Sequence, residues 1–252
     1  MENFLLDNND ILFHLENMDL DRIIRLREND FAEKEAYPHA PKDAADARDS
    51  YRKILEIIGE ICGETLSPLA PEIDEEGVRI EDGEVVYAQG TKQVLDIFNK
   101  ADLMGFSLPR KYGGLNFPAT VLSIAAELVA RADASFLNFG LQQDIAETLN
   151  KFASEELKDK YLPKLCSGEY GSSMILTEPD AGSDLQAVTL RAHQGPDGRW
   201  YLNGVKRFIT NGCGTIGLVL ARSEESGSGA RGLSFFLYER DDHMRIRRVE
   251  DK

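Results

Sequence analysis

The feature that most constrains this fold is a change of hydrophobic period near Gly171. Before that point, apolar residues recur every three or four positions, as one buried face of an α-helix requires. Tyr51, Ile54, Leu55, Ile58, Ile61 and Cys62 share such a face, and Val94, Leu95, Phe98 and Ala101 form another that ends near Gly105. Helical stretches follow at about 119–132 and 135–152, and Leu157, Tyr161 and Leu165 mark a short amphipathic helix ended by Gly168. Ser67-Pro68 and Ala70-Pro71 are expected to stop the first helix, because proline has no amide hydrogen and disfavours a helical residue before it. Residues 73–90 are acidic and glycine-bearing and read as a loop or small hairpin. Pro109 to Pro118, with Gly113-Gly114, reads as a turn-rich connector.

Beyond Gly171 the chain offers short β-type runs separated by turn signals. Val188–Ala192 and Trp200–Leu202 are expected to pair across Gly195-Pro196-Asp197-Gly198, a good hairpin loop. Asn203-Gly204 and Asn211-Gly212 are further turns, and Leu218–Ala221, Leu233–Tyr238 and Met244–Val249 complete the set. The expected class is therefore α+β: an N-terminal all-α helical bundle followed by an antiparallel β-barrel-like domain. The expected boundaries are an N-terminal helical extension at 1–48, a helical domain at 49–170 and a β domain at 171–252. Within the extension, Ile23, Ile24 and Leu26 suggest a helix near Asp21. The chain ends at Lys252 in or just after a strand with nothing to cap it, and so reads as truncated.

Composition narrows the function classes. The apolar runs fall short of the roughly 20 residues of a membrane helix. Met1, Glu2 and Asn3 lead to Asp7 and Asp10, not to the basic and apolar stretch of a secretory signal, so a cytoplasmic protein is expected. A formal net charge of -15 repels phosphate backbones, so no nucleic-acid partner is expected. Arg245, Arg247 and Arg248 alternate with apolar residues and read as one face of a strand, solvated or part of an interface. Cys62, Cys166 and Cys213 form no CxxC pair and read as small buried hydrophobes. His14, His39, His193 and His243 show no ligand spacing, so no metal site is expected.

Four segments then carry a resemblance. They are Leu108-Pro109 with Tyr112-Gly113-Gly114; Glu156 to Glu169, ELKDKYLPKLCSGE; Thr177 to Asp184, TEPDAGSD; and Asn203-Gly204, Lys206 and Phe208-Ile209-Thr210-Asn211-Gly212. In this order, straddling the helix-to-strand switch, they resemble the acyl-CoA dehydrogenase family over about residues 50–252. The resemblance implies an FAD-dependent oxidoreductase that forms a double bond between the α and β carbons of an acyl-CoA thioester. Electrons would pass to an electron-transferring flavoprotein, and the full-length protein would be a homo-oligomer. It also implies an N-terminal helical domain, a middle β domain and a C-terminal helical bundle, the last missing here. The family's catalytic base is a glutamate of that bundle, so the base is expected beyond Lys252, and this fragment alone is expected to be inactive and to hold FAD weakly. Two alternatives stay open: an acyl-CoA oxidase or related superfamily flavoprotein, and a non-catalytic interaction protein on the same scaffold.

The same match assigns residues. Met174, Ile175, Leu176 and Thr177 correspond to the strand along the isoalloxazine, with Thr177 offering a donor to its pyrimidine side. Phe208 stands where many relatives have tryptophan and would pack on the ring face; Ile209 adjoins it, and Thr210 would donate near flavin N5. Gly182 and Ser183 match the turn that lets backbone approach the cofactor and acyl-CoA, with Ser183 the substrate contact. Taken singly, each has a plainer reading: strand threonines, a core phenylalanine, an ordinary turn. Asp180 replaces a common glycine and Met174 an aromatic of some relatives, and both blur the acyl preference. Glu178, Asp180 and Asp184 lie on the signature turn and are not read as the base.

Overall fold

The computed structural model describes every residue except 1, 141, 142, 225–228, 242, 243, 245, 247 and 250–252. The described residues of Met1–Glu81, Val85–Glu169 and Val249–Lys252 form one compact unit, and those of Asp82–Glu84 and Tyr170–Arg248 the other. No described helix is long and apolar enough to cross a membrane.

The first unit is helical. Helix α1 (Asn9–Asn17) and α2 (Asp21–Arg27) precede the long α3 (Ala44–Ile61), which starts where the Asp43 side chain accepts from Asp46 N at 2.9 Å. An N-cap of this kind satisfies an amide that the helix leaves unpaired. The apolar face of α3 read from sequence turns inward: Tyr51, Leu55 and Ile58 are buried, with Ile54 and Ile61 packed at the margin.

The helix does not stop at Pro68. It passes through one π-helical turn, Cys62–Leu66, into α4 (Ser67–Glu76), with Pro71 inside. The π turn shifts the hydrogen-bond ladder, Ser67 N reaching Cys62 O, and Pro68 then falls in the first turn of α4, where an amide is not needed. Pro71 forfeits one bond, while buried Leu66 and Ile73 hold the segment in the core. A two-stranded hairpin follows, β1 (Arg79–Glu81) and β2 (Glu84–Val86), with left-handed Asp82 and Gly83 at its turn.

Helix α5 (Gln89–Lys100) buries Val94 and Phe98, and α6 (Ala119–Ala132) buries Val121, Ala125, Leu128 and Val129. Rings lock the centre edge to face: Tyr51–Phe117 at 4.6 Å, Phe106–Phe117 at 5.1 Å and Phe98–Phe136 at 5.2 Å. The stretch expected to be helical at 135–152 contains α7 (Leu137–Gly140) and α8 (Gln143–Phe152), with 141–142 outside the described residues. Helix α9 (Glu155–Cys166) then runs to Gly168, whose φ of +72° needs a residue without a side chain. The N-terminal extension shares this core: Phe4, Leu5, Ile11, Leu20 and Ile24 are all buried in it.

The second unit is a sheet of β3 (Ser172–Ile175), β4 (Arg191–Gln194), β5 (Trp200–Asn203), β6 (Ile216–Arg222) and β7 (Leu233–Glu239). Buried β6 is its spine. It pairs antiparallel with β7, Ile216↔Glu239 through Arg222↔Leu233, and the β4–β5 hairpin forms where the Gly-Pro-Asp-Gly loop was expected. However, β3 pairs with β6 in parallel, Ser172↔Ile216 to Ile175↔Val219, and β4 meets β6 in parallel at Arg191↔Arg222.

The sheet is therefore mixed, not antiparallel, and its strands close no barrel among the described residues. Residue alternation specifies which face a side chain occupies; it does not specify strand direction, which long connections leave free. Of the expected strand Met244–Val249, Arg245 and Arg247, with neighbouring His243, lie outside the described residues, and the described Met244, Ile246, Arg248 and Val249 belong to no strand.

Candidate functional site

The signature TEPDAGSD begins where β3 ends. Leu176 and Thr177 continue past the strand, and Glu178 and Ala181 exchange backbone hydrogen bonds of 2.7 and 3.3 Å around the Pro179-Asp180 turn. Asp180, Gly182 and Ser183 are exposed, and Asp184 caps a short 3-10 turn by accepting from Gln186 N at 3.0 Å. A side chain added at Gly182 would meet only Thr177 Cγ2, at an ordinary 3.6 Å. Nothing within the protein demands glycine there, so the open space lies on its outer side.

A second run comes alongside. Arg207 N donates to Thr177 O at 2.8 Å, Lys206 Nζ to Leu176 O at 2.8 Å, and Asn211 Nδ2 to Ser172 O at 2.9 Å. Residues 206–211 thus run antiparallel to 172–177. Met174, Ile175, Leu176 and Thr177 are brought beside Phe208, Ile209 and Thr210, while Ser183 sits on the turn beyond. Gly204 allows this approach: at its φ of +154° a Cβ would lie 2.8 Å from Leu190 Cα.

Beyond Asn203, the fourth of the family-like segments forms no strand. No strand lies between Asn203 and Ile216, because Phe208 and Asn211 adopt φ of +57° and +51°, which breaks the extended backbone. Phe208 is not core packing either: it is 67% exposed, with the Arg207 guanidinium 4.6 Å from its ring centroid. Among the described residues, neither the Thr177 nor the Thr210 hydroxyl has a hydrogen-bond partner.

What holds the two runs together is a group that sequence reasoning missed in this role. Glu178 is buried, and its oxygens accept from Thr189 N (2.8 Å), Thr189 Oγ1 (2.7 Å), Leu190 N (2.9 Å) and Lys206 Nζ (3.0 Å). Burial alone pushes this carboxyl up; the donors from Thr189, Leu190 and Lys206 outweigh it and hold the group at about 2. At neutral pH it is an ionised clamp, with its oxygens already taken by four donors. The spacing of Glu178 and Lys206 has no period that could have revealed the pair; only the return of the chain beside itself creates it.

Beside the signature turn lies a cleft of about 550 Å³, lined by Asp184, Gln186, Val188, Thr189, Arg191 and Arg222. Arg222 donates to Gln186 O (2.8 Å), Val188 O (3.2 Å) and Gly229 O (3.2 Å), which rigidifies the wall, whereas Arg191 is exposed. Of the cysteines, Cys62 and Cys166 are buried as expected, but Cys213, two residues after Asn211, is only half-buried.

Comparison with known proteins gives two family matches: residues 48–169 to the profile described as acyl-CoA dehydrogenase, N-terminal domain, and residues 173–252 to acyl-CoA dehydrogenase, middle domain. The chain is 39% identical over 195 residues to the 3-methylmercaptopropionyl-CoA dehydrogenase of Ruegeria pomeroyi, covering 75% of this chain and 33% of that protein. A chain from the structure of the electron transferring flavoprotein of Acidaminococcus fermentans superposes with a TM-score of 0.67 at 28% identity, covering 80% of this chain and 51% of that one. Butyryl-CoA dehydrogenase from Megasphaera elsdenii superposes with a TM-score of 0.64 at 28% identity, covering 75% and 48%. The chain therefore spans a third to a half of the length of these relatives.

Proposed function

Given that this chain belongs to the acyl-CoA dehydrogenase family, we propose that it carries the flavin-facing wall of an FAD-dependent oxidoreductase that forms an α,β double bond in an acyl-CoA thioester. The observation that carries this reading is the pairing of residues 206–211 with 172–177. It brings together one exposed aromatic ring, two unpartnered hydroxyls and a glycine open on its outer side.

Those features fit a planar, polar-edged ring. Phe208 offers a largely exposed ring with Arg207 alongside it, and its left-handed backbone is strain of the kind that persists where surrounding structure over-determines it. Thr177 and Thr210 have donors to give, which suits a ring on which negative charge develops. Met174, Ile175 and Leu176 supply the supporting strand end, and half-buried Ile209 lies between Phe208 and Thr210 on the facing run. FAD, when bound, would supply the acceptor for the substrate's electrons; the protein orients it and stabilises charge.

On the substrate side, Ser183 and Gly182 are exposed on the turn beside the cleft of about 550 Å³, where the acyl-CoA is placed by this reading. Exposed Arg191 adds positive charge at its rim. An acidic α hydrogen needs a base close by, and Glu178 does not fit that role, since it is saturated by four donors. By the family resemblance the base is assigned to none of these 252 residues, an electron-transferring flavoprotein is the onward acceptor, and this chain alone retains FAD weakly.

Titrating FAD into the protein and following flavin fluorescence tests the wall: Phe208→Ala and Thr177→Val should each weaken binding at least tenfold. Equal binding by wild type and both variants would refute it. Acyl-CoA-dependent dye reduction tests the missing base, and robust turnover by this chain would overturn that assignment.

A further inference from the structure

Asn29, Asp30 and Phe31 have φ of +46°, +51° and +64°. None is glycine, and three successive L-residues in this region carry a steric penalty that single turn residues do not accumulate. The resulting left-handed turn is closed by Asp30 N to Arg25 O at 2.9 Å and Phe31 N to Glu28 O at 2.8 Å. It reverses the chain so that Glu28 and Glu33 both reach one guanidinium: Arg110 binds Glu28 through two bonds of 2.7 and 3.0 Å and Glu33 through one of 3.1 Å.

The Glu28 and Arg110 side chains are each 1% exposed. Flanking bonds tie the same places, with Arg27 donating to Ser107 O and to Asn116 O at 3.0 Å, and Asn116 Nδ2 returning to Arg27 O at 3.1 Å. Beyond Glu28 the character changes: no side chain from Asn29 to His39 is buried. Apart from Phe31, which packs half-buried against the core, that stretch is held to the body by polar contacts.

A desolvated ion pair is a poor general adhesive, because apolar groups of similar volume pack at least as well. It is, however, all-or-none, since either charge alone would be stranded in the interior. One of its own donors, Arg110 Nε, is buried and finds no partner among the described residues, so even the closed arrangement is not fully satisfied. Strain on one side, an incompletely satisfied lock, and little apolar burial beyond it all point the same way. We propose that residues 29–39 are a strain-loaded strap, latched by Glu28–Arg110 onto the 106–117 connector, which opens as one unit while α3 and α6 stay folded.

Limited trypsinolysis at exposed Lys34, together with amide exchange, tests this. Glu28→Gln should raise cleavage at Lys34 and exchange at the 30–37 amides at least tenfold, with α3 and α6 amides unchanged. Arg110→Met should do the same from the other side, and Glu33→Gln, at a half-exposed partner, should change either rate less than twofold. Unchanged cleavage in both lock variants, or α6 exchange rising in step with the strap, would overturn the proposal. In the unmodified protein, cleavage at Lys34 should be insensitive to sub-denaturing urea, because a local opening exposes little surface. A steep urea dependence would show that the strap opens only when the whole unit unfolds, and would overturn the proposal even if the variants fail to fold.

Discussion

Replacing Glu178 by glutamine keeps its volume and removes its charge, and the geometry states what that costs. One carboxylate oxygen accepts from Leu190 N and Lys206 Nζ, the other from Thr189 N and Thr189 Oγ1. Turned toward Leu190 N and Lys206 Nζ its NH2 faces two donors; turned toward Thr189 it faces one, the amide, because the hydroxyl can rotate and accept, so at least one donor is left unsatisfied at about 1–3 kcal/mol. Lys206, 8% exposed, also loses its counter-charge in either orientation, keeping only neutral acceptors, the Leu176 carbonyl among them. Breaking one side of a buried pair costs about 3–5 kcal/mol, a range that meets the first at about 3 kcal/mol, so the variant should lose about that much.

The assay is specific to the β unit. Trp200 is the only tryptophan, lies on β5 and packs on Phe236 with centroids 5.1 Å apart, so its fluorescence in urea reports that unit's unfolding. The pH dependence has a definite sign. Glu178 is held near 2 in the folded protein against an ordinary value of 4.5, so its contribution is full above about 4.5 and is lost as pH falls towards 2. At about 1.4 kcal/mol per unit the contribution is roughly 3 kcal/mol, and the stabilities of wild type and variant should converge in acid by about this amount. Adding Lys206→Met should restore part of the loss, because the stranded charge is then gone. A difference below about 1 kcal/mol at pH 7, or one as large at pH 3, would refute the clamp.

Other outcomes follow from single positions. Phe208→Gly removes the penalty of a φ of +57°, so the urea midpoint of the β unit should hold or rise while FAD affinity falls at least tenfold; unchanged affinity would count against the flavin wall. Gly204→Ala places a Cβ 2.8 Å from Leu190 Cα and should cost about 2 kcal/mol or more, read by Trp200 fluorescence, and an unmoved midpoint would contradict the close approach. Burial pushes Cys62 and Cys166 up to about 12, so iodoacetamide at pH 8 should add one group, at Cys213, to the native protein and three after denaturation, counted by mass spectrometry. Two or more native adducts would show that those thiols are accessible.

Much of the fold was legible because it depends on local periodicity. The inward faces of α3, α5 and α6, the stop at Gly168 and the β4–β5 hairpin follow from apolar spacing and turn chemistry that a short window contains. Reading failed where energies came from elsewhere. Pro68 and Pro71 lie inside a continuing helix because a π turn and the burial of Leu66 and Ile73 support them. The run from Phe208 to Gly212 is turned, not extended, because Lys206 and Asn211 tie it to β3 and the end of that strand.

By itself, then, the sequence determined two structural regimes, the switch between them at Gly171, and the motif residues that carry the family resemblance, since period and residue type are properties of neighbours along the chain. Only the tertiary structure decided that β3 runs parallel to β6, that Glu178 is a clamp and not a free acid, and that Glu28 meets Arg110. Each of those depends on segments far apart in sequence coming together in a desolvated interior, where charge and direction matter and where spacing along the chain carries no information.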